Sequence, residues 1–149
     1  MIQRIQTLYL LGALALILIC CFVPIAVLTG NINQDLPLSL LELTLKKSSL
    51  LFEFVLLFLL GFTAFIIFIS IFLYKRRKTQ MKQCVISTIA LVILNLTALS
   101  QLLYLKHTGM TVVFHIASVF PLLAAVCTWL AYGRIKKDEN LVKSYDRLR

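Results

Sequence analysis

Four polar side chains lie inside or at the edge of apolar segments, where their chemistry would matter most. They are Glu53, Asn95, Gln101 and His115. Counted from the centre of each apolar segment, Glu53, Gln101 and His115 fall roughly 9 to 14 Å toward the same face of a membrane. A carboxylate and an imidazole in one layer could exchange protons or hold a cation, which is the usual functional hypothesis for ionisable groups in lipid. The alternative is that Glu53 and His115 reach water at the interface.

Asn95 stands at the centre of the third apolar segment. An unpaired amide in hydrocarbon is costly, so we expect its side chain to pair with another helix. The alternative is that it contacts a ligand.

The motifs of known enzyme chemistry are missing from the sequence. There is no GxSxG, no HExxH and no phosphate-binding glycine loop, and the six acidic residues are dispersed. Cys20, Cys21, Cys84 and Cys127 lie in or beside apolar segments without metal-binding spacing, so neither a disulfide framework nor a metal site is expected. We therefore predict no enzyme activity, no cofactor and no metal centre.

The composition is that of a membrane protein, with 60% hydrophobic and 14% charged residues. A spanning helix needs about 20 mainly apolar residues, and the segments 8–28, 50–74, 84–105 and 111–132 meet that standard. Each should be helical because unpaired backbone groups are costly in lipid. The sequence predicts an all-α membrane protein, with residues 1–149 forming one bundle of four transmembrane helices. The first segment is longer than a typical signal-peptide core and lacks a small-x-small cleavage site, so we expect it to be retained.

The basic residues predict the orientation of the chain. Of the 15 Lys and Arg, only Lys46, Lys47 and Lys106 fall on one side of the predicted spans, and the other 12 fall on the opposite side. Basic residues concentrate in cytoplasmic segments. Both termini and a basic loop at 75–83 are therefore predicted to be cytoplasmic, with the loop 29–49 outside.

The cytoplasmic side should lie against anionic lipid, where each basic residue contributes about 1 kcal/mol. The tail 133–149 has an amphipathic helical pattern that predicts a helix continuing from the fourth span, which bends onto the membrane or docks on a cytosolic partner. Nucleic acid is not an expected partner. The candidate lipid or partner contacts are Arg4, Lys75, Arg76, Arg77, Lys78, Lys82, Arg134, Lys136, Lys137, Lys143, Arg147 and Arg149.

Two further patterns concern packing and the external loop. Residues 36–47 partly alternate apolar with polar side chains, which predicts a short external hairpin or an interfacial segment. Stripes of small and polar residues on the third and fourth spans predict that these helices pack together as antiparallel neighbours. The stripes are Ser87, Ala90, Leu94, Thr97, Gln101 and Tyr104, and Ala117, Pro121, Ala124, Thr128 and Ala131.

Three stretches, MIQRIQTLYL, IFLYKRRKTQMKQC and RIKKDENLVKSYDRLR, carry a family resemblance. Together they resemble the uncharacterised small bacterial inner-membrane proteins grouped as domain of unknown function 4293. The resemblance implies a four-span protein of Gram-negative bacteria with no assigned activity, substrate or cofactor. Its matching residues lie on the predicted cytoplasmic side, which favours function there. Arg76 and Arg77 depart from the family pattern, which more often has one uncharged residue in this run.

Three functional hypotheses follow. The preferred one is a non-enzymatic scaffold or accessory subunit whose basic face binds anionic lipid and a protein partner. The second is a subunit of an ion or small-molecule carrier, assembled as an oligomer and lined by the four polar residues. The third is a membrane-embedded enzyme that acts on lipid.

Overall fold

Four apolar segments form four long helices, joined at one end by a small sheet. The computed structural model describes residues 3–29, 35–39, 50–73, 76–107 and 111–146. In chain order the elements are α1 (Gln3–Phe22), β1 (Pro24–Thr29), β2 (Asp35–Ser39), α2 (Leu50–Phe72), α3 (Arg77–His107), β3 (Thr111–Phe114), a 3-10 helix (Ile116–Val119) and α4 (Phe120–Asp146).

The prediction of four long apolar helices is confirmed, because four described helices are long and apolar enough to cross a membrane by length and composition. The protein is a multi-pass membrane protein. Its helix α4 packs most extensively against α1 and α3, and α2 packs against α3 and α1. We call the end that carries β1, β2 and β3 the sheet end, and the opposite end the basic end.

The predicted stripes lie between helices, with two exceptions. In the 3-10 helix and α4 every predicted stripe residue of the fourth segment is buried, as are Ser87, Ala90, Leu94 and Gln101 on α3. Tyr104 is exposed instead, and Thr97 is only half-buried. Ala98, Leu102 and Leu105 take the inward positions near them, because the buried stripe follows the helical repeat of 3.6 residues.

The first helix is shorter than the predicted segment 8–28. It ends at Phe22, and Pro24 begins strand β1. Proline cannot supply a backbone N–H to a continuing helix, and the following Ile, Val and Thr favour a strand. A hairpin between the first two helices therefore exists, but its first strand comes from the end of the predicted span, and its second strand covers only the first residues of the predicted stretch 36–47. Its external position stays a prediction.

The sheet joins two connections that are distant in sequence. Strand β1 is central and pairs antiparallel with both neighbours, in the order β2-β1-β3. The β1–β2 register shifts at Ile25, and Pro37 is tolerated because β2 is an edge strand. This sheet corrects the all-α prediction, while residues 30–34 and 40–49 of the predicted external loop lie outside the described residues.

The fourth predicted segment, 111–132, is also divided. Its first residues form β3, and the His115 backbone N–H donates to the carbonyl of Ile25 at 3.0 Å. The 3-10 helix then leads into α4, where Pro121 occupies the first turn, a position in which its missing N–H is harmless.

At the basic end, helix replaces much of the predicted loop. Helix α3 begins at Arg77, so most of the predicted basic loop 75–83 is its first two turns. Arg, Lys, Gln and Met are good helix formers, which explains the difference. Helix α4 continues without interruption from the apolar segment through the predicted tail to Asp146.

The helix surface matches the thickness of a bilayer. A hydrogen bond of 2.9 Å between the hydroxyls of Thr88 and Thr128 fixes α3 against α4. Measured along the helices from this pair, Tyr132 lies about 6 Å toward the basic end and Tyr104 about 24 Å toward the sheet end. The two tyrosines are thus about 30 Å apart, the usual depth of the hydrocarbon core, and tyrosine is enriched at both interfaces.

Candidate functional site

The basic end presents its positive side chains at the surface. Arg76 precedes α3, and the other described basic side chains of this end stand on the first turns of α3 or the last turns of α4. Arg76, Lys78, Lys82, Arg134, Lys136 and Lys137 are exposed, and Arg77 is partly exposed. Arg4 and Lys143 lie in helices, but their side chains are outside the described part, as are residues Lys75, Arg147 and Arg149 altogether.

These charges stand at matching levels on two helices. Measured from the Thr88–Thr128 pair, Lys82 and Arg134 each lie about 9 Å toward the basic end. Lys78 and Lys137 follow at about 14 to 15 Å. Because the levels coincide, α3 and α4 together form a positive belt just beyond the apolar core.

The acidic side chains described at this end point inward. Asp138 is half-buried and accepts a hydrogen bond from Nε2 of Gln6 on α1. Glu139 is only 8% exposed and is engaged in a polar interaction. Among the described side chains, the exposed charge at this end is therefore entirely positive.

The Gln6–Asp138 bond predicts a measurable coupling between α1 and α4. In a double-mutant cycle of Gln6→Leu and Asp138→Leu, we expect a coupling energy of about 1 kcal/mol in the free energy of unfolding, because a charged acceptor is lost. Unfolding in mixed micelles measures it. Additive effects of the two substitutions would show that the bond contributes nothing.

Further polar contacts hold the helix ends in place. Nε2 of Gln80, buried on α3, donates to the Ser70 carbonyl of α2 at 3.0 Å. The Ser70 hydroxyl lies 3.8 Å from the sulfur of Cys84. On α4 the Lys136 ammonium sits 5.8 Å from the centre of the Tyr132 ring, which in turn lies 5.5 Å from that of Trp129. These aromatic rings and the cation form an arrangement typical of a membrane interface.

The four predicted polar residues are placed differently from one another. Gln101 is buried on α3 and has a polar interaction, whereas His115 is exposed between β3 and the 3-10 helix. Glu53 is in α2, but its side chain lies outside the described part. Asn95 lines a cavity that neither Gln101 nor His115 lines. A layer shared by Glu53, Gln101 and His115 stays a prediction.

The cavity lies between α3, the start of α4 and the sheet, and has a volume of about 340 Å³. Asn95 and Ser118 are its polar lining residues. Its walls are apolar: Ile25, Leu94, Leu96, Ala98, Leu99, Leu102, Phe114, Pro121 and Leu122.

The cysteines and histidines do not assemble a metal centre in the described structure. No three His, Cys, Asp or Glu side chains of the described ranges come close enough together to hold an ion. All four cysteines are free, and the Cys20 thiol donates to the Ala117 carbonyl at 3.7 Å, which fastens the end of α1 to the 3-10 helix.

Several residues of these sites were not predicted individually. Gln6 and Asp138 belong to no sequence motif, although a polar residue near the end of an apolar helix can indicate a hydrogen bond to another helix. Gln80 lay in a predicted loop. Ser118 looks like an ordinary serine within the predicted fourth span, and only the folded arrangement places it at the cavity.

Comparison with known proteins gives a family. Neither the curated proteins nor the solved structures contained a match to the chain. A family model described as Domain of unknown function (DUF4293) matches residues 2–148. That match covers nearly the whole chain, including both ends and the basic run between α2 and α3, and the protein therefore belongs to the DUF4293 family.

Proposed function

We propose that this protein is a non-enzymatic scaffold or accessory subunit of the bacterial inner membrane, with both termini and the basic end in the cytoplasm. The observation that carries the proposal is the sorting of charge at the basic end. Seven described basic side chains are exposed or partly exposed there, while Asp138 and Glu139 are turned toward the bundle. The positive surface then faces anionic headgroups and a partner with a complementary acidic surface.

The same sorting supports the orientation. Lys106 stands alone at the sheet end of α3, whereas Arg77, Lys78 and Lys82 stand at its other end. The excess of Lys and Arg marks the cytoplasmic end of a short multi-pass protein. The matching levels of charge on α3 and α4 support a common register of the two helices across the bilayer.

Cysteine labelling on a single helix tests the orientation. We expect a membrane-impermeant maleimide to label His107→Cys in intact cells, because His107 is exposed at the sheet end. Lys78→Cys, exposed at the opposite end of α3, should react only after the membrane is permeabilised. The reverse pattern would contradict the proposed orientation, and the unsubstituted chain gives the background from its four native cysteines.

Photo-crosslinking tests the partner. A benzophenone amino acid at Lys137 should yield one stoichiometric protein adduct, and the same amino acid at Leu130, exposed on the apolar part of α4, should yield only lipid adducts. In the chain that carries the benzophenone at position 137, changing Lys136 to Glu should reduce the yield of the protein adduct, because the charge complementarity with the partner is lost. If both positions gave lipid adducts alone, the proposal of a protein partner would be refuted. If a protein adduct forms, its mass shows whether the partner is a different chain or a second copy of this one.

The cavity supports a second candidate function. A carrier subunit needs a polar group that faces a space within the bilayer, and Asn95 fulfils that condition. The basic end gives the scaffold hypothesis more support, because it involves two helices and every basic side chain described there.

A further inference from the structure

The cavity beside Asn95 reaches from the middle of the bilayer toward the sheet end. Asn95 lies about 14 Å from the level of Tyr104 and about 16 Å from that of Tyr132, measured along the helices. Leu102, near the other end of the cavity, lies two turns further along α3. The α3 lining runs from Leu94 to Leu102, so the cavity is about 12 Å long at 1.5 Å per residue.

The cavity opens sideways into lipid. Several of its lining residues are exposed on the outer surface of the bundle, among them Leu96 at 61% and Leu122 at 53%. A volume of about 340 Å³ is at the small end of the range for ligand pockets. A compact apolar group fits inside, and a longer chain can extend through the opening into the bilayer.

Asn95 has hydrogen-bonding capacity left for a ligand. Its Nδ2 donates to the Leu91 carbonyl at 2.8 Å. A carboxamide has two donor hydrogens and an acceptor oxygen, so one hydrogen and Oδ1 are not used by any described residue. The same is true of the Ser118 hydroxyl, for which the described part of the chain provides no partner. Unused polar atoms in the middle of a bilayer are costly, and they mark candidate functional sites.

The chemistry of these groups selects the ligand. A hydroxyl group both donates and accepts, so it can satisfy the oxygen and the free N–H of the Asn95 carboxamide. A carboxylate cannot donate, and its charge is expensive in a site with apolar walls and no described cation. An ether or ester can only accept and would leave Oδ1 unsatisfied.

We propose that the cavity binds a neutral lipid alcohol, with its hydroxyl hydrogen-bonded to Asn95 and its apolar part against the α3 wall. This inference is separate from the basic end and does not depend on the scaffold function. It adds a specific small ligand within the bilayer.

Photolabelling in nanodiscs of phosphatidylcholine tests the proposal. The probe is hexadecanol with a diazirine close to its hydroxyl group. We expect adducts on α3 near Asn95 and around Ser118, which unlabelled hexadecanol displaces. Hexadecyl methyl ether should compete about tenfold more weakly, because one hydrogen bond in a desolvated site is worth about this factor.

Variants separate the site from general lipid contact. Asn95→Leu should reduce specific labelling about tenfold for the same reason, and Ser118→Ala provides a second, less disruptive test. Thr97→Val is the matched control, because the Thr97 hydroxyl only donates to carbonyls of its own helix and does not line the cavity. Its labelling should equal that of the unsubstituted protein.

Three results would overturn the proposal. Equal competition by the alcohol and its methyl ether would show that the hydroxyl is not recognised. Stronger competition by hexadecanoic acid would assign the cavity to a carboxyl ligand. Unchanged labelling in both Asn95→Leu and Ser118→Ala would show that the adducts come from ordinary contact with lipid and not from a specific site.

Discussion

We expect that changing Lys78, Lys82, Lys136 and Lys137 together to Gln removes most of the preference for anionic lipid that we propose for the basic end. All four side chains are exposed at the basic end. Each Lys close to an anionic leaflet contributes about 1 kcal/mol, so the loss of four lowers the preference by several hundredfold, given that about 1.4 kcal/mol is a factor of ten. Native mass spectrometry of protein from nanodiscs with equal phosphatidylglycerol and phosphatidylcholine measures the lipids retained.

Lys106→Gln is the control for this result. It removes one exposed charge from the opposite end of α3 and should leave retention at the basic end unchanged. Raising the salt concentration should weaken the preference of the unsubstituted protein, because exposed charges are screened over about 8 Å at physiological ionic strength. An unaltered preference in the fourfold variant would refute lipid binding by the basic end.

We expect that replacing Ala13 by Leu lowers the free energy of unfolding of the bundle by about 1 to 3 kcal/mol, the usual cost of overfilling a packed core. Ala13 is fully buried on α1, in a cluster with Ala124 and Ala131 of α4. Small residues allow helices in a membrane to approach closely, and a larger side chain would push α1 away from α4. Reversible unfolding in mixed micelles with an increasing fraction of dodecyl sulfate measures the decrease in the free energy of unfolding.

The matched control lies two residues further along the same helix. Ala15 is only half-buried, so Ala15→Leu adds the same atoms at a position with room and should change the free energy of unfolding by about 0.5 kcal/mol or less. An equal decrease in the free energy of unfolding of the two variants would mean that the α1–α4 contact at Ala13 is not tightly packed.

Hydropathy predicts the helices of this protein and misplaces their ends at the sheet. The six residues from Pro24 to Thr29 are as apolar as the helix before them, so a scale of hydrophobicity alone assigns them to the span. Pro24 and the β-branched residues after it are the local evidence for a strand, and Thr111–Phe114 offers a similar run. The pairing of these two strands is a long-range event that no local pattern reveals.

The candidate sites differ in how far the sequence predicts them. The basic residues were predicted by type and position, but the inward turn of Asp138 and Glu139 depends on which face of α4 meets α1. Asn95 was identified as a polar residue in mid-membrane. The cavity beside it could not be predicted, because an empty volume arises from how α3, α4 and the sheet diverge and has no residue pattern of its own.

The central position of β1 sets an order for biogenesis. During synthesis, β1 and β2 emerge from the ribosome early and can form a hairpin, but β3 follows roughly 80 residues after β1, which takes about 4 to 16 s at ordinary elongation rates. Until then one edge of β1 is a free template for pairing with other chains. The sheet can therefore be completed only after the whole of the third helix has been synthesised, so its last strand joins a chain that already contains three of the four described helices.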